Sequence, residues 1–146
     1  MSINLRVATE EDISSILKLY HESLDKTGVL DLENAKIIFK KQMQYPDYKI
    51  FIACIDQEIV GTFALLIMEN IGHLGSPSAI IEDVAVSPEY QRKGIGKLMM
   101  AFAMDYARTK KCYKLVLSSN LRRAEAHQFY ENLGFEKHGY SFKIDL

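Results

Sequence analysis

Residues 79–107, AIIEDVAVSPEYQRKGIGKLMMAFAMDYA, join an apolar β-branched run, a proline, a loop with two glycines one residue apart and a segment with helical apolar spacing. That order predicts a strand, a tight loop and a helix. Leu98, Met99, Phe102, Ala103 and Tyr106 share one helical side and must bury it against the sheet that holds the strand. The first amides of such a helix lack intrahelical partners and lie at the positive end of its dipole, so the loop is suited to a phosphate. A plain glycine turn capping an amphipathic helix would use the same letters. Two phosphate loops are excluded. The nucleotide-hydrolase loop needs four residues between its glycines and then Gly-Lys-Ser/Thr, whereas Leu98 follows Gly96-Lys97 here. The dinucleotide fingerprint needs a third glycine where Met99 stands.

The rest of the chain supplies the layers. Ile3–Val7 reads as a strand. Thr9 and Asp12 then open a helix carrying Ile13, Ile16, Leu17 and Tyr20 at helical spacing. A second helix begins near Asp31 and ends before Pro46, since proline disfavours helix in the residue before it. YKIFIACIDQEIVGTFALLIM reads as a hairpin turning at Asp56, Gln57 and Glu58, ENIGHLGSPS as a loop, and YKLVLSS as a fifth strand. RRAEAHQFYENLGF is a helix closed by Gly134, and FEKHGYSFKIDL is expected to add one or two closing strands. The predicted class is α/β (α+β), a mixed, mostly antiparallel sheet flanked by helices. Residues 1–146, 48% apolar and 25% charged, read as one domain.

Eighteen basic residues balance 19 acidic ones, so no overall field points to nucleic acid or to an acidic membrane, and neither is expected as a partner. The opening MSINLRVATEED has no signal-peptide pattern and no apolar run approaches membrane-spanning length, which leads us to expect a cytoplasmic protein. Cys54 and Cys112 lack redox or metal spacing and are expected as reduced thiols. The four histidines show no ligand spacing, and no metal is expected.

The loop, together with the helix and strand after it, resembles the GCN5-related N-acetyltransferase (GNAT) superfamily, the acetyl-coenzyme A dependent acyltransferases. Gln91, Gly94 and Gly96 match its Gln/Arg-x-x-Gly-x-Gly/Ala loop, and Phe129, Tyr130, Glu131, Gly134 and Phe135 match its FYExxGF helix end. The resemblance implies acetyl-CoA as cosubstrate. The amides of Arg92, Lys93, Gly94, Ile95, Gly96 and Lys97 would cradle its pyrophosphate, and Gln91 opens that loop. Backbone groups of Val84 and Val86, with Asn120, would hold the pantetheine arm. It also implies a carboxylate base on the fourth strand and Tyr130 as the acid that protonates the departing thiolate. Glu82 and Asp83 occupy the base position. Regular alternation would put them on opposite faces, and Glu82 is the one expected to act or to orient water.

The acceptor is less defined. SSNLRRAEAHQFYENLGF resembles the corresponding segment of aminoalkylphosphonate N-acetyltransferases, and KKCYKLVL a strand of glucosamine-6-phosphate N-acetyltransferases. Arg123, His127 and Tyr130 share a helical face, so Arg123 and His127 would suit an anionic small-molecule amine; they could equally be solvated or locally bonded. His73 is a further candidate acceptor contact. A protein or peptide N-acetyltransferase, and a non-catalytic acyl-CoA sensor, stay open. A homodimer paired through the C-terminal strands, as in many relatives, is also open.

Overall fold

The computed structural model describes residues 2–146. They form two compact units, Met1–Val116 and Leu117–Leu146. In the first, β1 (Ile3–Val7), β2 (Tyr48–Ile55), β3 (Glu58–Met68) and β4 (Ser78–Val86) pair antiparallel in sequence order; β5 (Lys114–Leu117), whose last residue falls in the second unit, follows β4 in the five-stranded mixed sheet. The helices α1 (Ile13–Ser23), α2 (Leu32–Gln42) and α3 (Ile95–Thr109) belong to this unit. The second unit holds α4 (Ala124–Asn132).

The sheet is covered on both faces, which is why β2 reads as a near-continuous apolar run. Ile50, Ile52 and Cys54 of β2 and Ala64 of β3 pack with Ile13, Ile16, Ala35 and Phe39 of α1 and α2. On the other face Phe51 and Phe63 stack at 5.3 Å, and Phe51 meets Phe102 and Tyr106 of α3 edge-on. The buried side of α3 is Ile95, Met99, Met100, Ala103 and Ala107; Leu98, expected there, is 45% exposed.

Two local devices set the geometry. Asp56 and Gln57 both have positive φ, so the hairpin turn is two residues long and Glu58 already belongs to β3. Asp12 lies buried at the entry to α1, where it accepts from both Arg6 guanidinium nitrogens at 2.7 and 2.9 Å and from the Thr9 amide at 2.7 Å. Those bonds hold its carboxyl below the usual range and tie β1 to α1.

Gly61 of β3 marks where α3 approaches most closely. A Cβ there would lie 2.6 Å from Met99 Sδ and 3.2 Å from Ile95 Cγ2, and both side chains are buried with little space to shift. Gly61→Val is therefore expected to overpack the interface and cost about 1–3 kcal/mol. A denaturant midpoint equal to that of the wild type would contradict this.

The expected closing strands are not formed. Residues 135–146 contain no strand, although Tyr140, Phe142, Ile144 and Leu146 keep the period-2 apolar pattern. A strand needs hydrogen bonds from a neighbour, and the sheet order ends at β5. All four side chains are more than 80% exposed, so no packed face supports the segment among the described residues.

Candidate active site

Strand β4 does not alternate through its acidic pair. Thr62 pairs with Ala85 and Ala64 with Glu82, so Asp83 and Val84 together oppose Phe63 alone. This is a β-bulge, and Asp83 has φ 54°, a left-handed conformation that a non-glycine residue seldom adopts. The register puts Glu82 opposite Ala64, on the α1 and α2 face. Asp83 lines a cavity on that same face. The expectation of opposite faces is thus corrected: the extra residue of the bulge brings both carboxylates to one side.

The cavity lies between α1, α2 and β4, with a volume of about 330 Å³. Its walls include Ile13, Ile16, Leu17, Ile38, Phe39 and Ile50, and its polar groups are Tyr20, Asp25, Gln42 and Asp83. Glu82 is not among the lining residues. Solvent reaches Asp83, yet the apolar groups around its carboxyl raise its pKa above the ordinary aspartate value by desolvation. Burial also raises the Tyr20 phenol strongly, and the nearby Asp83 charge adds to it. Sequence reasoning identified Asp83 but missed Tyr20, Asp25 and Gln42, because their meeting depends on how two helices cross the sheet.

The glycine loop has the features an anion cradle needs. Arg92 and Gly94 are both left-handed, at φ 63° and 83°, and Gly94 is the N-cap of α3. A Cβ on Gly94 would meet nothing within 4 Å, so its φ, and not crowding, is what favours glycine there. Among the described residues no carbonyl accepts from the N–H groups of residues 94–97, and the first bonded amide of the helix is Leu98, 3.1 Å from the Gly94 oxygen. Alternating backbone hands with free amides form the kind of concavity that binds phosphate. Arg92, Lys93 and Lys97 are exposed around it; Lys93 Nζ lies 5.0 Å above the Tyr90 ring. Ile95 and Gly96 open the helix, the former with its side chain buried against the Gly61 position. The Val86 carbonyl already accepts from Ser23 Oγ at 2.8 Å and from Gln91 Nε2 at 3.3 Å.

In the second unit, Asn120 shapes the turn into α4. Its Oδ1 accepts from the Arg122 amide at 2.9 Å, its carbonyl accepts from the Arg123 amide at 3.0 Å, and His127 Nε2 meets that same carbonyl at 2.8 Å. Ser119 Oγ beside it is buried with no hydrogen-bond partner, an unused polar group of the kind a bound amide would satisfy. Tyr130 lies between Phe129 and Phe135, with ring centroids at 5.2 and 5.7 Å. Burial pushes its phenol above the ordinary tyrosine range, and the Arg123 charge opposes that shift. His73 stacks on Tyr113 at 4.1 Å and does not line the Asp83 cavity.

The first unit thus combines a mixed sheet flanked by helices, a helix start with free amides of the kind that suits a phosphate, and a carboxylate in an apolar cavity. Residues 12–135 match the model of the Acetyltransferase (GNAT) family. The glucosamine 6-phosphate N-acetyltransferase of Trypanosoma brucei brucei is 32% identical over 146 residues, covering 100% of this chain and 97% of that protein. The aminoalkylphosphonate N-acetyltransferase of Salmonella typhimurium is 28% identical over 138 residues, covering 94% and 88%. The crystal structure of a Trypanosoma brucei acetyltransferase superposes with a TM-score of 0.87 at 31% identity, covering 99% and 100%. The chain belongs to the GNAT family and is an N-acetyltransferase of the acyltransferase class; the family uses acetyl-CoA. No helix among the described residues is long and apolar enough to cross a membrane.

Proposed function

We propose that residues 1–146 act as one acetyl-CoA dependent N-acetyltransferase domain that acetylates a primary amine of a small molecule in the cytoplasm. The observation that carries this reading is Asp83, held by a bulge in an apolar cavity directly before Val84 on β4. The amides of residues 92–97 would hold the pyrophosphate, with Arg92, Lys93 and Lys97 adding charge and Gln91 bonded across to Val86. Val84 of β4 would serve the pantetheine arm, and Asn120 is the residue that the family resemblance alone adds to it. With the Val86 carbonyl taken, its part in that grip is smaller than the family resemblance implies.

Acetyl-CoA supplies an activated acyl carbonyl as a thioester. An alkylammonium of pKa about 10.4 is neutral in only roughly one molecule in a thousand at pH 7, so supplying the free amine costs about 4–5 kcal/mol. Asp83 takes that proton. Its raised pKa makes it a better base than an ordinary carboxylate while leaving it able to ionise. Attack by the freed nitrogen forms the C–N bond and breaks the C–S bond. On the family resemblance Tyr130, whose phenol burial keeps protonated, would give its proton to the thiolate sulfur. The nitrogen's second proton restores the phenol through solvent, and Asp83 releases its own to bulk, so one proton leaves overall.

Glu82, on the same face, would orient water beside the ammonium. A second reading, an acceptor bearing an anionic group, is supported by the substrates named for the two relatives and by Arg123 near Tyr130. His127 contributes less to it, being bonded to the Asn120 carbonyl. The exposed alternating residues 140–146 would suit pairing with a second copy in a homodimer.

The test is thiol release from acetyl-CoA on adding a panel of primary amines, alongside calorimetric titration of acetyl-CoA itself. Binding with amine-dependent release is the expected result. Binding with no release from small amines or short peptides would favour the sensor alternative, and release with peptides alone a protein acetyltransferase.

A further inference from the structure

We propose that the cavity between α1, α2 and β4 selects a primary amine with an uncharged, apolar body, an arylalkyl or alkyl ammonium, and seats its nitrogen at Asp83. This deepens the acetyltransferase reading and rests on it. The walls are hydrocarbon, contributed by Ile16 and Leu17 of α1, by Ile38 of α2, and by Leu24, Val29 and Leu30 of the intervening loop. Among the described residues no lysine, arginine or histidine lines the cavity, and the charged groups that line it are Asp25 and Asp83.

Asp25 is held as an anion. It accepts from Thr27 Oγ1 at 2.6 Å and from the Thr27 amide at 3.1 Å, and these bonds keep its carboxyl below the ordinary range. A phosphate or phosphonate entering here would give up hydration, find no basic side chain in the described lining and meet two carboxylates, an arrangement that disfavours it on both counts. An ammonium instead finds Asp83 beside it, and a hydrocarbon body finds walls that gain by leaving water. Leu24, Val29 and Leu30 are each at least 40% exposed, so apolar surface at the cavity is left for an occupant to cover. The volume, about 330 Å³, is at the small end of the roughly 300–1,000 Å³ usual for small-molecule sites and suits one ring or a short alkyl chain.

The test compares kcat/KM, by thiol release, for 2-phenylethylamine and hexylamine with that for glucosamine 6-phosphate and 2-aminoethylphosphonate. The apolar amines are expected to lead by about tenfold or more. Leu30→Lys, at an exposed loop position, would put a cation at the cavity and is expected to remove about tenfold of that lead, mainly through KM for 2-phenylethylamine. Calorimetric titration of 2-phenylethylamine into both proteins reads binding apart from turnover, and circular dichroism checks that the variant is folded. Turnover of the anionic amines alone, or a folded Leu30→Lys that treats 2-phenylethylamine as the wild type does, would overturn the proposal and leave the acetyltransferase reading standing. Silence with every amine, while 2-phenylethylamine still binds the wild type and not Leu30→Lys, would sink the acetyltransferase reading and sustain the cavity's preference.

Discussion

Asp83→Asn is expected to lower kcat/KM for the amine by about 10²–10³-fold while acetyl-CoA binding stays within a few-fold of the wild type. The substitution keeps the shape of the side chain and removes its ability to accept a proton. What is lost is the free-base supply at the bulge, whereas the amide cradle of residues 92–97 lies in a different loop and is untouched. The pH dependence has a definite sign. Asp83 must be ionised to act, and desolvation has raised its pKa, so kcat/KM should climb with pH through a limb lying above the ordinary aspartate range. That limb should vanish in the variant. The same shift has a consequence for stability: a carboxyl whose folded pKa exceeds its unfolded value binds more protons when folded. Its contribution is therefore lost as pH rises through the folded pKa. At neutral pH the wild type carries that cost, so Asp83→Asn should unfold at a slightly higher denaturant concentration. Lower activity with equal or greater stability separates a site residue from a structural one.

Tyr130→Phe is expected to reduce kcat by about 10²-fold with the Kd for acetyl-CoA nearly unchanged. The ring's packing between Phe129 and Phe135 survives the change, and only the hydroxyl goes. Burial raises the phenol's pKa, with the Arg123 charge opposing, so in the proposed role the wild type would hold a proton for the thiolate throughout the neutral range. The deficit should be greatest for steps that expel the thiol. Unchanged kcat in the variant would remove Tyr130 from the mechanism.

The strands and helices of the first unit were legible because their local chemistry agrees with their packing. Asp31 caps α2 by accepting from the Asn34 amide, and Asp56-Gln57 turns the hairpin in left-handed conformations, which the short aspartate side chain tolerates. The glycine loop was legible for the same reason, since only φ and amide exposure matter there. The bulge was not. Period-2 reasoning assumes one residue per partner, and nothing in the letters IIEDVAV announces that Asp83 and Val84 share Phe63, apart from the oddity of two acids in an apolar strand. Tyr20, Asp25 and Gln42 were missed because each is ordinary within its own segment and gains meaning only when α1, its loop and α2 close over β4. The C-terminal strands were overread: alternation from Tyr140 to Leu146 shows a capacity to pair, and pairing requires a partner strand that the pattern does not contain.

The most direct measurement is kcat/KM for one good amine, across the neutral and mildly acidic range, with Glu82→Gln and Asp83→Asn side by side. With Asp83 as the proton acceptor, Glu82→Gln should keep the wild-type acid limb and lose no more than a few-fold, while Asp83→Asn loses both the limb and about two orders of magnitude. If instead the limb and the large loss belong to Glu82, the nitrogen is deprotonated outside the cavity, and the assignment of the acceptor site to the α1, α2 and β4 cavity is wrong.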